Sequence, residues 1–245
     1  MIRLAAILCA ALSLPAEAAE CRNENYHGNA YTICEVDLTA ERLELFLADE
    51  NGNVFGHFGI LNAALKEDGL SLGFATNAGM YHEDRRPVGH YVENGIEVQR
   101  VIPNAGPGNF GLLPNGILCL RDGRADVFET GAFLENTLAC RSATQSGPML
   151  VIEGALHPRF LPDSTSRYIR NGVGTSDDGT RAVFAISNNT VTFHEFGTLF
   201  RDLLKTPNAL YFDGNVSRLR APDLGRSGIG FTALGPIIGV VKGAD

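Results

Sequence analysis

An apolar, strand-like run, Ala209-Leu210-Tyr211-Phe212, stops abruptly on Asp213-Gly214, a carboxylate followed by the least restricted residue type. Burying an ionised carboxyl group is costly without a partner, so such an acid either sits in a satisfied structural network or does chemistry. Chemistry requires polar or cationic neighbours, and three segments offer them. Asn77, in Ala75-Thr76-Asn77-Ala78-Gly79, places an amide with donors and an acceptor beside small residues that let a ligand approach. Gln145-Ser146 precedes a Gly147-Pro148 bend; turn-making accounts for the glycine and the proline but not for the amide and the hydroxyl. Arg167 and Arg170 flank Tyr168-Ile169, where a strand would turn them to opposite faces. Arg170, beside Asn171-Gly172, is the candidate for gripping a carboxylate or phosphate through paired hydrogen bonds, while for Arg167 a solvated surface position and a site position are equal readings.

Other chemistries lack their signatures. Gly106-Pro107-Gly108-Asn109-Phe110-Gly111 has the glycine spacing of a dinucleotide loop. It leads into Pro114-Asn115-Gly116 rather than a helix, however, and Pro107 removes an amide that would bind phosphate. No Gly-x-Ser-x-Gly elbow, phosphate loop, His-Glu-x-x-His or Cys-x-x-Cys occurs. The six histidines are scattered without i, i+4 pairing, and His82, in a polar loop near Asn77, is the one to test. No cofactor is expected. A net charge of −8 with no basic stripe argues against nucleic acid as a partner.

The segments that must position these residues read as short strands broken by turns: 31–37, 43–48, 88–93, 96–101, 110–113, 117–121, 149–152, 181–187, 209–212 and 237–241. Asn94-Gly95 and Asn115-Gly116 are the strongest hairpin signals, with further turns at Asp122-Gly123, Glu153-Gly154 and Asp178-Gly179. Helical periodicity covers 59–66 and 195–204, the second placing Phe196, Leu199, Phe200, Leu203 and Leu204 on one face before Pro207 ends it. The pattern predicts an α+β fold, a mixed or antiparallel twisted sheet core with a few packed helices in a single domain. Residues 221–230, with one proline, three glycines and little apolar content, are the expected mobile piece.

The N-terminus has a basic start, Met1-Ile2-Arg3, and an apolar stretch, Leu4 to Leu14, too short to span a bilayer; Ala16, Ala18 and Ala19 then offer a signal-peptidase site. Residues 1–19 are read as a cleaved export signal, leaving 20–245 as the mature domain in the periplasm or medium, with no integral membrane segment. Arg3 and Glu17 leave together, so the net charge is unchanged. Cys9 leaves too. Of the three pairings open to Cys21, Cys34, Cys119 and Cys140, the sequence-local one, Cys21–Cys34 with Cys119–Cys140, is simplest.

Six motifs occur in an order that resembles the phosphodiester glycosidase family, in particular its small exported bacterial branch. They are Asn77-Ala78-Gly79-Met80-Tyr81, Pro87 to Gly95, Thr144 to Leu150, Ser166 to Gly174, Ala209 to Gly214 and Gly235-Pro236-Ile237-Ile238-Gly239, and the resemblance spans roughly residues 30–242. It implies a hydrolase that cleaves a sugar phosphodiester at the glycosidic bond, releasing a sugar and a phosphomonoester, with Asp213 and Arg170 catalytic and Asn77, Gln145, Ser146, Asn171 and Ser217 binding substrate. The family often has Asp-Gly-Gly-Gly-Ser where this chain reads Asp213-Gly214-Asn215-Val216-Ser217, which narrows the backbone choices of that loop. A phosphomonoester is already a good leaving group, so stabilising an oxocarbenium-like sugar and holding the anion matter more than a strong general acid. Glu83, Asp84, Glu93 and Glu195 are equal candidates for a second carboxyl group. Two alternatives stay open: a non-catalytic module that binds envelope glycan or protein, and a metal-assisted phosphodiesterase using Asp213 with His82 or His90.

Overall fold

The computed structural model describes residues 19–244, apart from 137 and 215. The leader read over 1–19 therefore lies, Ala19 excepted, outside the described residues, as does Asn215 of the altered loop. In chain order the elements are β1 (Glu20–Tyr26), β2 (Asn29–Asp37), β3 (Leu43–Phe46), α1 (Phe58–Glu67), β4 (Leu70–Asn77), β5 (Tyr91–Glu93), β6 (Ile96–Gln99), β7 (Gly116–Arg121) and β8 (Arg124–Glu129). There follow α2 (Thr130–Asn136), β9 (Ser142–Ser146), β10 (Met149–Ile152), β11 (Ala155–Leu156), β12 (Asn171–Thr175), β13 (Arg181–Ser187), α3 (Phe193–Thr198), β14 (Asn208–Asp213), β15 (Leu219–Arg220) and β16 (Ile237–Gly243).

Among the described residues the strands form three sheets, ordered β1-β2-β13-β12-β14-β10-β11, β15-β4-β16-β3 and β6-β5-β9-β7-β8. Neighbouring strands run antiparallel throughout. Their inner faces meet in one core, where Phe74 of the second sheet, Leu118 and Val127 of the third, and Phe184, Leu210 and Phe212 of the first are buried together. The architecture is the α+β class expected, and its sheets are antiparallel rather than mixed.

β14 lies between β12 and β10 and serves two cores at once. Leu210 and Phe212 face the shared core, while Ala209 and Tyr211 face α3 and its π-helical continuation Leu199–Leu203. With both faces covered, the strand is apolar throughout rather than alternating. α3 starts on a capping box, Thr192 with Glu195, each satisfying the other's backbone amide.

Hairpins form at Asn94-Gly95 and Glu153-Gly154, where both turn residues have positive φ and the pair fits a primed turn. Both disulfides pair locally, Cys21–Cys34 across directly opposed positions of β1 and β2, and Cys119–Cys140. Two expectations fail. Asn115-Gly116 is no hairpin: Asn115 is buried, donating to Phe110 O and accepting from Thr130, and Gly116 opens β7. Residues 110–113, read as a strand, are turns for the same reason. Residues 221–230, expected to be mobile, contain a short helical turn, and Arg226 donates to Thr32 Oγ1 and Asn188 Oδ1 at 2.8 and 2.7 Å.

Candidate active site

Three strand ends meet at one point: the end of β4 with Asn77, the start of β12 with Asn171, and the end of β14 with Asp213. Asn171, 1% exposed, joins them. Its Nδ2 donates to Asn77 Oδ1 at 2.9 Å and to Thr76 Oγ1 at 3.0 Å, and its Oδ1 accepts the Asp213 amide at 3.2 Å. Asn77 Oδ1 also accepts the Arg218 amide at 3.0 Å, and Ser217 Oγ donates to Asp213 O at 2.7 Å, closing the loop that follows the acid.

The register of β14 explains how Asp213 reaches open space. Asn171 opposes Asp213 and Gly172 opposes Tyr211, so Phe212 is an extra residue in a β-bulge. A bulge bends its strand and re-aims the side chains beside it. The Phe212 carbonyl accepts from Ser146 Oγ at 2.9 Å, so Ser146 supports the backbone beside the acid. At Gly214 an added Cβ would lie 2.0 Å from the Tyr211 hydroxyl, which requires glycine there.

Asp213 lines a cleft of about 520 Å³ with Tyr81, His82, Glu83, Arg85 and the 107–110 segment. A second hollow of about 260 Å³ continues from it; Met80, Asn109 and Asp213 are common to both, and Tyr168, Tyr211 and Gly214 complete the second. Together they match the size range of small-molecule sites. Burial, reinforced by the Asp213 charge, pushes the Tyr81 hydroxyl above its usual range; burial likewise raises Tyr211, with Asp213 adding to the shift. Both phenols therefore stay protonated; the Tyr81 hydroxyl donates to Ala233 O at 3.2 Å.

Arg170 is 1% exposed. Its guanidinium lies 3.6 Å from the Phe193 ring centre and 5.5 Å from those of Tyr168 and Tyr211. Nε donates to Val191 O at 2.9 Å and Nη2 to Ser166 O at 3.2 Å, while Nη1 is buried with no hydrogen-bond partner among the described residues. The Tyr211 hydroxyl is in the same condition; the two groups are neighbours that miss hydrogen-bond geometry. Burial pulls the Arg170 pKa below the usual arginine value, opposed chiefly by Tyr211. Glu195, which attracts it from further off, is already paired with Arg167 at 2.9 Å.

The structure thus gathers Asn77, Asn171, Ser146 and Ser217 around Asp213, with Arg170 behind the tyrosines. It does not gather Gln145. That residue, 2% exposed, accepts the His90 and Ile102 amides, both at 3.0 Å, and donates to Ile102 O at 2.8 Å, so its amide is committed to protein rather than open to a substrate. What it holds is the start of the loop that brings Asn109 to the cleft. Asn109, Tyr168 and Tyr211 were not singled out from sequence. The glycine-rich 106–111 motif, weighed only as a dinucleotide loop, is the signal that could have found the first, and the tyrosines carried none beyond their proximity to Arg170 and Asp213. Of the four candidate second carboxyls, Glu83 lines the Asp213 cleft. Glu195 caps α3, Glu93 accepts the Tyr91 hydroxyl, and Asp84 pairs with Arg86. His90 is buried against Gln99 O, and among the described residues no group of three or more His, Cys, Asp and Glu is placed to hold a metal ion.

Comparison with known proteins gives the family. The phosphodiester glycosidase family model matches residues 71–221, which span β4, β12, β14 and the loop after Asp213. The chain belongs to the phosphodiester glycosidase family. It is 32% identical over 190 residues to the uncharacterized protein YigE of Escherichia coli K12, covering 78% of this chain and 72% of YigE. Its fold is similar to the zebrafish N-acetylglucosamine-1-phosphodiester α-N-acetylglucosaminidase catalytic domain auto-inhibited by its pro-peptide (TM-score 0.61, 11% identity, 91% of this chain and 81% of that one). A hypothetical protein from Synechocystis is similar too (TM-score 0.58, 13% identity, 91% and 61%). At such identities these solved structures speak for the fold alone.

Proposed function

We propose that this member of the family is an exported hydrolase that cleaves a sugar phosphodiester at the sugar–oxygen bond. The observation that carries the reading is Asp213, aimed into a cleft by the Phe212 bulge, with Tyr211 in the wall of the adjoining hollow and the buried Arg170 against the Tyr211 ring; among the described residues the Tyr211 hydroxyl and Arg170 Nη1 make no hydrogen bond. Leaving a buried donor unmade costs about 1–3 kcal/mol, more for a charged group, and a phosphate oxygen would satisfy both. In the reaction the anomeric C–O bond breaks, water supplies the new hydroxyl and its proton, and the phosphomonoester leaves with the bonding pair. Asp213 stabilises or captures the positive anomeric carbon, Arg170 and Tyr211 hold the departing anion, and Glu83 is positioned to activate water. Asn77, Asn171, Ser146 and Ser217 fix the backbone that carries Asp213. The two disulfides fit an oxidising compartment, which supports export of the mature chain.

The test is turnover of a chromogenic sugar phosphodiester by purified protein. Asp213→Asn is expected to lower kcat about 10²- to 10⁴-fold with an unchanged melting temperature. Unchanged turnover in a folded variant removes Asp213 from the mechanism. Thermal stabilisation by the substrate with no product formed by the native protein favours the binding-module reading instead.

A further inference from the structure

Ala19, the first described residue, is not frayed. It is 2% exposed and belongs to the core shared by the three sheets. Its backbone nitrogen donates to Glu41 Oε1 at 2.7 Å. Burial raises the Glu41 carboxyl above its usual range, Asp37 adding to the effect and the Ala19 amide opposing it. A neutral amide is a weak counterpart for a partly buried carboxylate, whereas an ammonium is a strong one. Ala19 also has φ 43°, a left-handed value uncommon outside glycine, and that torsion ceases to exist once no residue precedes it. Immediately upstream, Ala16-Glu17-Ala18 has the small-x-small pattern of a signal-peptidase site.

We propose that the export peptidase cuts between Ala18 and Ala19, and that the α-ammonium so created pairs with Glu41. In the cut, water adds across the Ala18–Ala19 amide: the C–N bond breaks, Ala18 departs as a carboxylate and Ala19 keeps its nitrogen, protonated, as the new terminus. The boundary falls one residue upstream of that read from sequence. The nitrogen already stands at hydrogen-bond distance, so the ion pair forms without rearrangement. The Cys21–Cys34 bond, two residues on, secures the same end of β1 to β2. Processing thereby replaces a strained internal residue with a charge that the half-buried acid requires. The inference rests on the export reading and is independent of the catalytic one.

Two measurements test it. Intact mass of the protein exported from its full-length precursor is expected to match residues 19–245 with both disulfides; any other first residue overturns the cleavage assignment. Thermal melts then compare the Ala19 start, the same chain with an uncharged acetyl cap, and a chain carrying Gly-Ser ahead of Ala19, each with and without Glu41→Gln. Cap and extension are each expected to lower Tm by about 2–4 °C with Glu41 present and by less than about 1 °C in E41Q. No loss, or the same loss in both backgrounds, overturns the ion pair, and turnover of a sugar phosphodiester is expected to stay unchanged in all six proteins.

Discussion

Arg170 carries a buried charge that is stabilised by ring faces and backbone carbonyls, an arrangement in which Nη1 has no hydrogen-bond partner among the described residues and, on the proposed function, meets an anion. If that anion is the substrate phosphate, Arg170→Lys, which keeps the charge but loses the fork, is expected to lower kcat/KM on a phosphodiester about 10- to 100-fold while changing a neutral aryl glycoside less than about threefold. Equal losses on both substrates count against a phosphate role, and circular dichroism checks that the variant is folded. At this scale the sequence was informative about residue type and poor about direction. Asn77, Asn171 and Ser217 converge on Asp213, but their polar atoms are committed to one another and to backbone. Gln145 has the same chemistry as Asn77 and sits one residue from Ser146, yet strand alternation turns it toward Ile102. Nothing in the local sequence distinguishes an amide that faces a ligand from one that closes a loop.

The elements that matter are β12 and β14, whose close approach sets the distance between Asn171 and Asp213. Gly172 permits it: a Cβ there would meet Leu210 O at 2.5 Å. Gly172→Ala is expected to wedge the strands apart, costing about 1–3 kcal/mol, seen as a lower urea midpoint. Because both site residues ride on those strands, kcat should fall with it, and a variant that keeps both the midpoint and kcat would show the strands can yield. Helix 195–204 and most strands were legible, since an apolar stripe and short β-branched runs need no tertiary information. β9 and β12 were not. Their residues, Ser142–Ser146 and Asn171–Thr175, are small and polar, and they become strands because neighbours on both sides supply hydrogen-bond ladders and the core tolerates no larger side chain.

Across the whole molecule, stability is coupled to pH through buried histidines. His157 Nε2 lies 3.2 Å from Leu113 O while Nδ1 accepts the Arg159 amide at 3.2 Å, so the neutral ring with its proton on Nε2 fits and the cation does not. Burial, helped by Arg159, holds its pKa below the usual value, as burial does for His90. Groups depressed in the folded state stabilise it fully above the unfolded pKa of about 6.5 and lose that contribution as pH falls through the folded value. Tm is therefore expected to drop between pH 7.5 and 5, and His157→Gln to narrow that drop while lowering Tm at pH 7.5; a drop of undiminished size would remove His157 from the coupling. The sequence by itself determined the antiparallel-rich α+β class, the local disulfides and the place of a carboxylate at the end of an apolar run, because these follow from periodicity, proximity along the chain and the order of residues. Only the tertiary structure decided which polar groups surround that carboxylate. The bulge at Phe212, the burial of Arg170 against the rings of Tyr168, Phe193 and Tyr211, and the seat of Ala19 on Glu41 depend on contacts between segments far apart in sequence, which no local pattern encodes.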